Sequence, residues 1–183
     1  LGYKFLHDDY VGRGGIEAIG VGTDFKDGDL ALRGNFSTLN KEGVIIDRRA
    51  GRKIEREDAN EIAKEIEQKI KFSVPNTSVV IAPTIGHRVT VRIRCEQEPL
   101  SSEITNTDPA YSRIAGMGVA KAVSDFMKIE KCLPLEDTPT ANLTAKLVNE
   151  FTEQSLEIMK NSTVNSRRRE SGKKLLNSIL LRD

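Results

Sequence analysis

The sequence has no tryptophan, only two histidines and two cysteines, few aromatic residues and almost no net charge. Each shortage argues against a class of function. Cys95 and Cys132 form no Cys-x-x-Cys pair, so neither a disulfide framework nor a thiolate metal site is expected, and a reducing cytoplasm is the simpler setting. His7 and His87 alone make no cluster for zinc. The 28 basic and 27 acidic side chains leave a formal charge of +1, so no bulk field draws the chain to nucleic acid or to an acidic membrane. Any anion site must therefore be local. The longest apolar runs, such as Val79 to Ala82 and Ile179 to Leu181, fall far short of the ~20 residues of a membrane helix, and no basic stretch followed by an apolar one opens the chain as a signal peptide would. There is no Gly-x-Ser-x-Gly elbow, and no Ser or Cys stands in an activated context, so a nucleophile is not expected here.

At 183 residues the chain fits one domain with flanking arms. It starts at Leu1 and stops just after an aliphatic run, Ile179 to Leu181, that reads as a strand in need of neighbours; both features suggest a piece of a longer protein. Residues 1–28 are broken by glycines and leave room for one short helix near Gly14 to Ile19. Leu30 to Leu39 and Val44 to Ile46, joined by a loop ending in Gly43, predict a β-hairpin. Ala59, Ile62, Ala63, Ile66 and Ile70 recur at helical spacing from Arg56, with acids near the positive end. Ser78 to Ala82 predicts a short strand. Arg88 to Cys95 alternates strictly, predicting a half-buried strand with a basic outer face. Glu96 to Pro139 is broken by prolines and reads as mostly loop, with a short helix near Val119 to Met127. Thr140 is placed to cap a helix from Ala141 to about Lys160, with Leu143, Leu147, Phe151 and Ile158 inward. The order predicts an α+β fold of two layers, a largely antiparallel sheet with helices packed on one face, of the ferredoxin-like αβ plait kind. Residues 29–163 would form the α+β domain, with 1–28 and 164–183 as arms.

Arginine supplies the strongest local signal. Asp47-Arg48-Arg49-Ala50-Gly51-Arg52 follows a strand end and gathers guanidiniums around a small, flexible pair, which suits a phosphate or carboxylate. The plainer alternative is a solvated turn whose arginines pair with Glu55 and Glu57. Arg33 and Asn35 lie on the facing strand of the predicted hairpin. Arg13, within Gly12-Arg13-Gly14-Gly15, leads into the short helix, whose exposed N–H groups attract anions, although on the glycines alone a tight turn is the favoured explanation. His87 and Arg88 open the alternating strand. Asp108 suits a hydrogen bond to a substrate hydroxyl, or an ordinary turn before Pro109. Arg167 to Arg169 read as a solvated face.

Five short motifs in order, Gly12-Arg-Gly-Gly-Ile-Glu-Ala, Leu32-Arg-Gly-Asn-Phe-Ser-Thr, Ile46-Asp-Arg-Arg-Ala-Gly-Arg, Gly86-His-Arg and Asn106-Thr-Asp-Pro, resemble the archaeal-type cofactor-independent phosphoglycerate mutases. Gly15 stands where that family commonly has proline, and Leu32 where it often has an aromatic residue. The resemblance implies the insertion domain that closes over 2- or 3-phosphoglycerate, attached to an alkaline-phosphatase-like core with a serine nucleophile and two divalent metal ions of the manganese, magnesium, zinc or cobalt class. Serine and metals would lie in that core and not in this chain, which alone would be inactive. The site residues it implies are Arg13, Arg33, Asn35, Arg48, Arg49, Arg52, His87, Arg88 and Asp108. The rival readings are a non-catalytic small-anion module and an RNA-binding module; the absence of aromatic residues from Arg88 to Cys95 opposes the second.

Overall fold

The alternation in Leu30–Leu39 and Arg88–Cys95 places their apolar residues on one face of a sheet, and the main core packs against that face. The computed structural model describes residues 13–114, 117–121 and 127–183, with 13, 113–114 and 117–119 as backbone only. Strand β1 (Leu30–Leu39) lies at the centre of an antiparallel sheet. One of its edges pairs with β4 (Arg88–Cys95), which pairs in turn with β3 (Thr77–Pro83). Its other edge pairs with β7 (Ser178–Arg182), and β2 (Ile45–Asp47) closes the hairpin at its end.

The registers Leu32↔Val91 and Gly34↔Leu181 align the apolar side chains on one face. Against that face lie α2 (Arg56–Lys69), through Ile62 and Ile66, and α3 (Pro139–Lys160), through Leu147 and Phe151. Burying each such side chain contributes roughly 1.5–3 kcal/mol, which makes this layer the main source of stability. The expected α+β, two-layer, largely antiparallel architecture is what the chain adopts. Among the described helices none is long and apolar enough to cross a membrane.

Several details depart from expectation. The cap of α3 is Thr138, whose hydroxyl accepts from the Ala141 N–H, because Pro139 takes the first helical position, where its missing donor does no harm. Leu143 and Ile158 are only partly buried, since the helix turns Ala145, Val148 and Met159 inward beside Leu147 and Phe151. Most of the outer face of β4 is covered: Arg88 is exposed, but Thr90 and Arg92 are buried, and Arg94 is fastened to Asp29 at 2.7 Å. Helix α1 (Arg13–Gly20) covers part of this second face, with Gly14 so close to β1 that a Cβ would stand 2.0 Å from the Ala31 carbonyl oxygen. The proline-broken segment contains an antiparallel ribbon, β5 (Tyr111–Ile114) with β6 (Met117–Ala120), so Val119 lies in a strand where a helix was expected; residues 122–126 of that expected helix, like residues 1–12 of the first arm, lie outside the described residues. The stretch 164–183 carries most of α4 (Thr163–Glu170) and all of β7, which pairs with β1. Arg168 within it is buried rather than solvated.

Candidate functional site

Immediately after β2 the chain turns tightly. The Asp47 carboxylate accepts from the N–H groups of Arg49 (2.8 Å) and Gly51 (3.0 Å), and Ala50, Gly51 and Arg52 all carry positive φ, at 42°, 81° and 66°. Two of these three are not glycine, so the conformation is held against a cost of about 1–3 kcal/mol per residue by its surroundings. Ala50, almost completely buried, anchors the loop while the arginines on either side fan outward.

The turn between β3 and β4 abuts that loop. Gly86, at φ 63°, is so near that a Cβ would come within 2.7 Å of the Arg52 carbonyl oxygen. The contact sets His87 and Arg88 beside the arginine loop, and the His87 carbonyl ties the turn back to β1 by accepting from the Phe36 N–H at 2.8 Å. Strand pairing does the rest: Asn35 lies opposite Arg88, and Arg33 opposite Arg182, all on the sheet face away from the apolar core.

A third wall comes from the loop before β5. The Asp108 carboxylate is fully buried; Nη2 of Arg48 donates to its two oxygens at 2.8 and 2.7 Å, and Nη1 of Arg182 donates to Oδ2 at 3.2 Å. Both guanidiniums lie over the Tyr111 ring, 5.4 and 4.6 Å from its centroid. With its amide oriented to accept, Asn35 receives a further hydrogen bond from Arg182 Nη1 at 3.0 Å.

These walls enclose a cavity of about 420 Å³ lined by Arg33, Asn35, Arg48, Arg49, Arg52, His87, Arg88, Tyr111, Arg182 and Asp183. Seven of the nine residues named from sequence thus converge on one space. Asp108 stands behind the wall, with its carboxylate turned to Arg48 and Arg182, and the Arg13 side chain lies outside the described residues. Sequence reasoning missed Tyr111, Arg182 and Asp183. Arg182 was visible as the charged end of the terminal aliphatic run, but only the β1–β7 register carries it to Arg33.

The cavity is strongly cationic. Arg33 is paired with Glu17 at 2.7 Å, and Arg48 and Arg182 share Asp108, whereas Arg49, Arg52 and Arg88 form no ion pair with any described residue. The expected alternative, in which the loop arginines pair with Glu55 and Glu57, is not what forms: Glu55 binds Arg168 and Lys173 instead. Nε of Arg48 is buried and meets no acceptor among the described residues. Burial, reinforced by Arg49, Arg88, Arg182 and Arg52, draws His87 below its ordinary value, which keeps its imidazole neutral near pH 7. Burial also draws Arg182 down, against the opposing pull of Tyr111 and Asp108. Such a field, with donors in planar forks, is built to receive a compact oxyanion. Among the described residues no three His, Cys, Asp or Glu side chains gather in a way that would hold a metal ion.

Comparison with known proteins agrees with this chemistry. Residues 1–165 match the family model described as 2,3-bisphosphoglycerate-independent phosphoglycerate mutase. The chain is 37% identical to the 2,3-bisphosphoglycerate-independent phosphoglycerate mutase of Saccharolobus islandicus, over 96% of this chain and 38% of that protein. With that of Aeropyrum pernix the identity is 38%, over 100% of this chain and 43% of the relative. Among solved structures, the cofactor-independent phosphoglycerate mutase from Thermoplasma acidophilum superposes with a TM-score of 0.75 at 31% identity, covering 95% of this chain and 42% of that one. The chain therefore spans about two fifths of the length of these relatives. Over that span, it belongs to the 2,3-bisphosphoglycerate-independent phosphoglycerate mutase family.

Proposed function

We propose that this chain is the substrate-binding part of a phosphoglycerate mutase, an isomerase that interconverts 2-phosphoglycerate and 3-phosphoglycerate through a phosphoserine carried by the remainder of the polypeptide. The observation that carries the reading is the convergence of six arginines and an imidazole on one cavity, three of the arginines without an acidic partner among the described residues. A phosphoglycerate offers two anionic groups, a phosphate and a carboxylate, and both accept paired N–H donors from a guanidinium. The side chains of Arg48 and Arg182 are fixed by Asp108, whereas those of Arg49, Arg52 and Arg88 form no ion pair with any described residue. The fixed pair suits an anion that must be held in one attitude, and the looser set suits one that turns or is delivered.

This chain's part in the reaction is positioning and neutralisation, the two effects that dominate phosphoryl transfer. Six guanidiniums and an imidazole do not suit a divalent cation, so no step is assigned to a metal within this chain. In this reading the two divalent ions and the serine belong to the remainder, residues 29–163 close over the substrate, and 1–28 and 164–183 link them to it, the second also lending Arg182 to the cavity wall. The chain alone binds phosphoglycerate and does not turn it over.

The test is mutase activity of the full-length polypeptide with Arg49→Ala. A loss of about 100-fold in kcat/KM, equivalent to about 2.7 kcal/mol, is expected for an arginine that meets the substrate. Unchanged kinetics would make the arginine loop an ordinary charged turn.

A further inference from the structure

Asp108 holds a fully buried carboxylate behind the cavity wall, and its geometry leaves it nothing to offer a ligand. Nη2 of Arg48 reaches both of its oxygens, Nη1 of Arg182 reaches Oδ2, and the Ala110 N–H reaches Oδ1 at 3.1 Å. Its backbone is equally committed. The N–H groups of Thr107 and Asp108 both donate to the Leu181 carbonyl at 3.0 Å, and the Leu181 N–H donates to Thr107 Oγ1 at 3.0 Å. The loop that carries Asp108 is thereby stapled to β7, the strand that carries Arg182.

We propose that Asp108 is a positioning residue: its carboxylate does not touch the bound anion but fixes Arg48 and Arg182 over the Tyr111 ring in the attitude that receives it. The inference rests on the reading of the cavity as an oxyanion site. Two guanidiniums over one ring would repel each other if nothing stood between them, and free arginine side chains sample many rotamers. A shared carboxylate removes both difficulties before the ligand arrives, which is preorganisation rather than binding. Both side chains line the cavity beside their shared carboxylate.

The proposal opposes the simplest electrostatic expectation. Removing a negative charge from the wall of an anion site ought to tighten anion binding; removing a positioning residue loosens it. Calorimetric titration of this chain with inorganic phosphate at 25 °C separates the two. Asp108→Asn is expected to weaken binding about tenfold despite its added positive charge, and Asp108→Glu to weaken it as well although the charge is unchanged. Wild type that fails to bind phosphate overturns the oxyanion reading and this inference together. Wild type that binds, with Asp108→Asn binding equally or more tightly, overturns this inference alone. Where a variant does not fold, nitrogen-15 relaxation of the wild-type guanidinium groups without phosphate decides: Arg48 and Arg182 should be rigid while Arg49, Arg52 and Arg88 are mobile, and equal mobility overturns the proposal.

Discussion

Three consecutive arginines, Arg167 to Arg169, look alike in sequence, and the structure predicts that only the middle one matters much for stability. Arg168 has a side chain 2% exposed; its Nε donates to the Lys174 carbonyl at 2.7 Å and its Nη1 to Glu55 and Asp58, each at 2.7 Å. It joins α4 to the start of α2. Arg168→Met keeps much of the length and removes every one of these bonds. Breaking a buried pair by deleting one partner costs about 3–5 kcal/mol when the other is abandoned. Here Glu55 keeps Lys173 at 2.6 Å and Asp58 keeps Arg167 at 3.3 Å, so the loss falls nearer that of one set of charge-assisted hydrogen bonds, about 2–3 kcal/mol. For a domain of this size that is a fall of about 5–10 °C in Tm, read by thermal circular dichroism at pH 7. Arg169, exposed and without an ion pair among the described residues, is the control: Arg169→Ala should stay within about 0.5 kcal/mol of wild type. The effect also has a pH signature. Lys173 first, then its own backbone N–H and Arg168, hold the Glu55 carboxyl down at about 2. Its folded value is below its unfolded one, so its contribution is complete above the ordinary carboxylate range and is lost as pH falls through about 2. The gap between wild type and Arg168→Met should narrow over that interval. A melting point for Arg168→Met within 2 °C of wild type, roughly the effect of a screened surface pair, would refute the argument.

Two further predictions concern the cavity. Gly86→Ala forces a side chain onto φ 63° and against the Arg52 carbonyl, so both stability and phosphate affinity should fall; Gly172→Ala, at φ 66° with nothing within 4 Å, should cost about 1–2 kcal/mol of strain and leave affinity unchanged. Equal phosphate affinities for the two variants in calorimetric titration would show that the contact of turn and loop does not shape the site. His87 is held below its ordinary value by burial and then by Arg49, Arg88, Arg182 and Arg52; a bound dianion opposes those cations and raises it. Sulfate, whose charge is constant near neutrality, should therefore bind with proton uptake and bind more weakly as pH rises from the lowered value of the free imidazole through its raised value in the complex. Titration heats that do not vary between buffers of different ionisation enthalpy would contradict it.

Elements with a clear period were legible in the sequence. The helical spacing of α2 reports one-sided burial, and one-sided burial is what it has; the alternation of β4 correctly placed Val89, Val91, Ile93 and Cys95 in the core. Most of the cavity was legible for a different reason: Arg33, the arginine loop and His87–Arg88 stand in short motifs, each beside an element end or a glycine. What could not be read were facts of long-range pairing. Arg182 becomes a wall residue only because β7 joins β1 in one register, and Tyr111 only because Asp108 is stapled to that strand. The outer face of β4 looked solvated because α1, which covers part of it, is too short and glycine-rich to announce where it packs. Arg168 looked like surface because its acidic partners lie more than a hundred residues away.

A chain with a formal charge of +1 can hold a cationic cavity only by directing its acids elsewhere, and the structure shows how this is done next to the arginine loop. Glu55 follows the loop by three residues and is the nearest acid in sequence to Arg52. Both of its oxygens are already engaged, Oε1 by Lys173 at 2.6 Å and Oε2 by Arg168 at 2.7 Å. Asp58 is held by Arg168 and Arg167, and Asp47 spends its carboxylate on the backbone of the loop itself. The α4 clamp thus keeps Glu55 and Asp58 off Arg49 and Arg52. On this argument, Arg168→Met weakens phosphate binding as well as the fold, by freeing Oε2 of Glu55 to compete for the loop arginines while Oε1 keeps Lys173. The loss of affinity should be reversed by Glu55→Gln in the same chain, whereas the loss of stability should not.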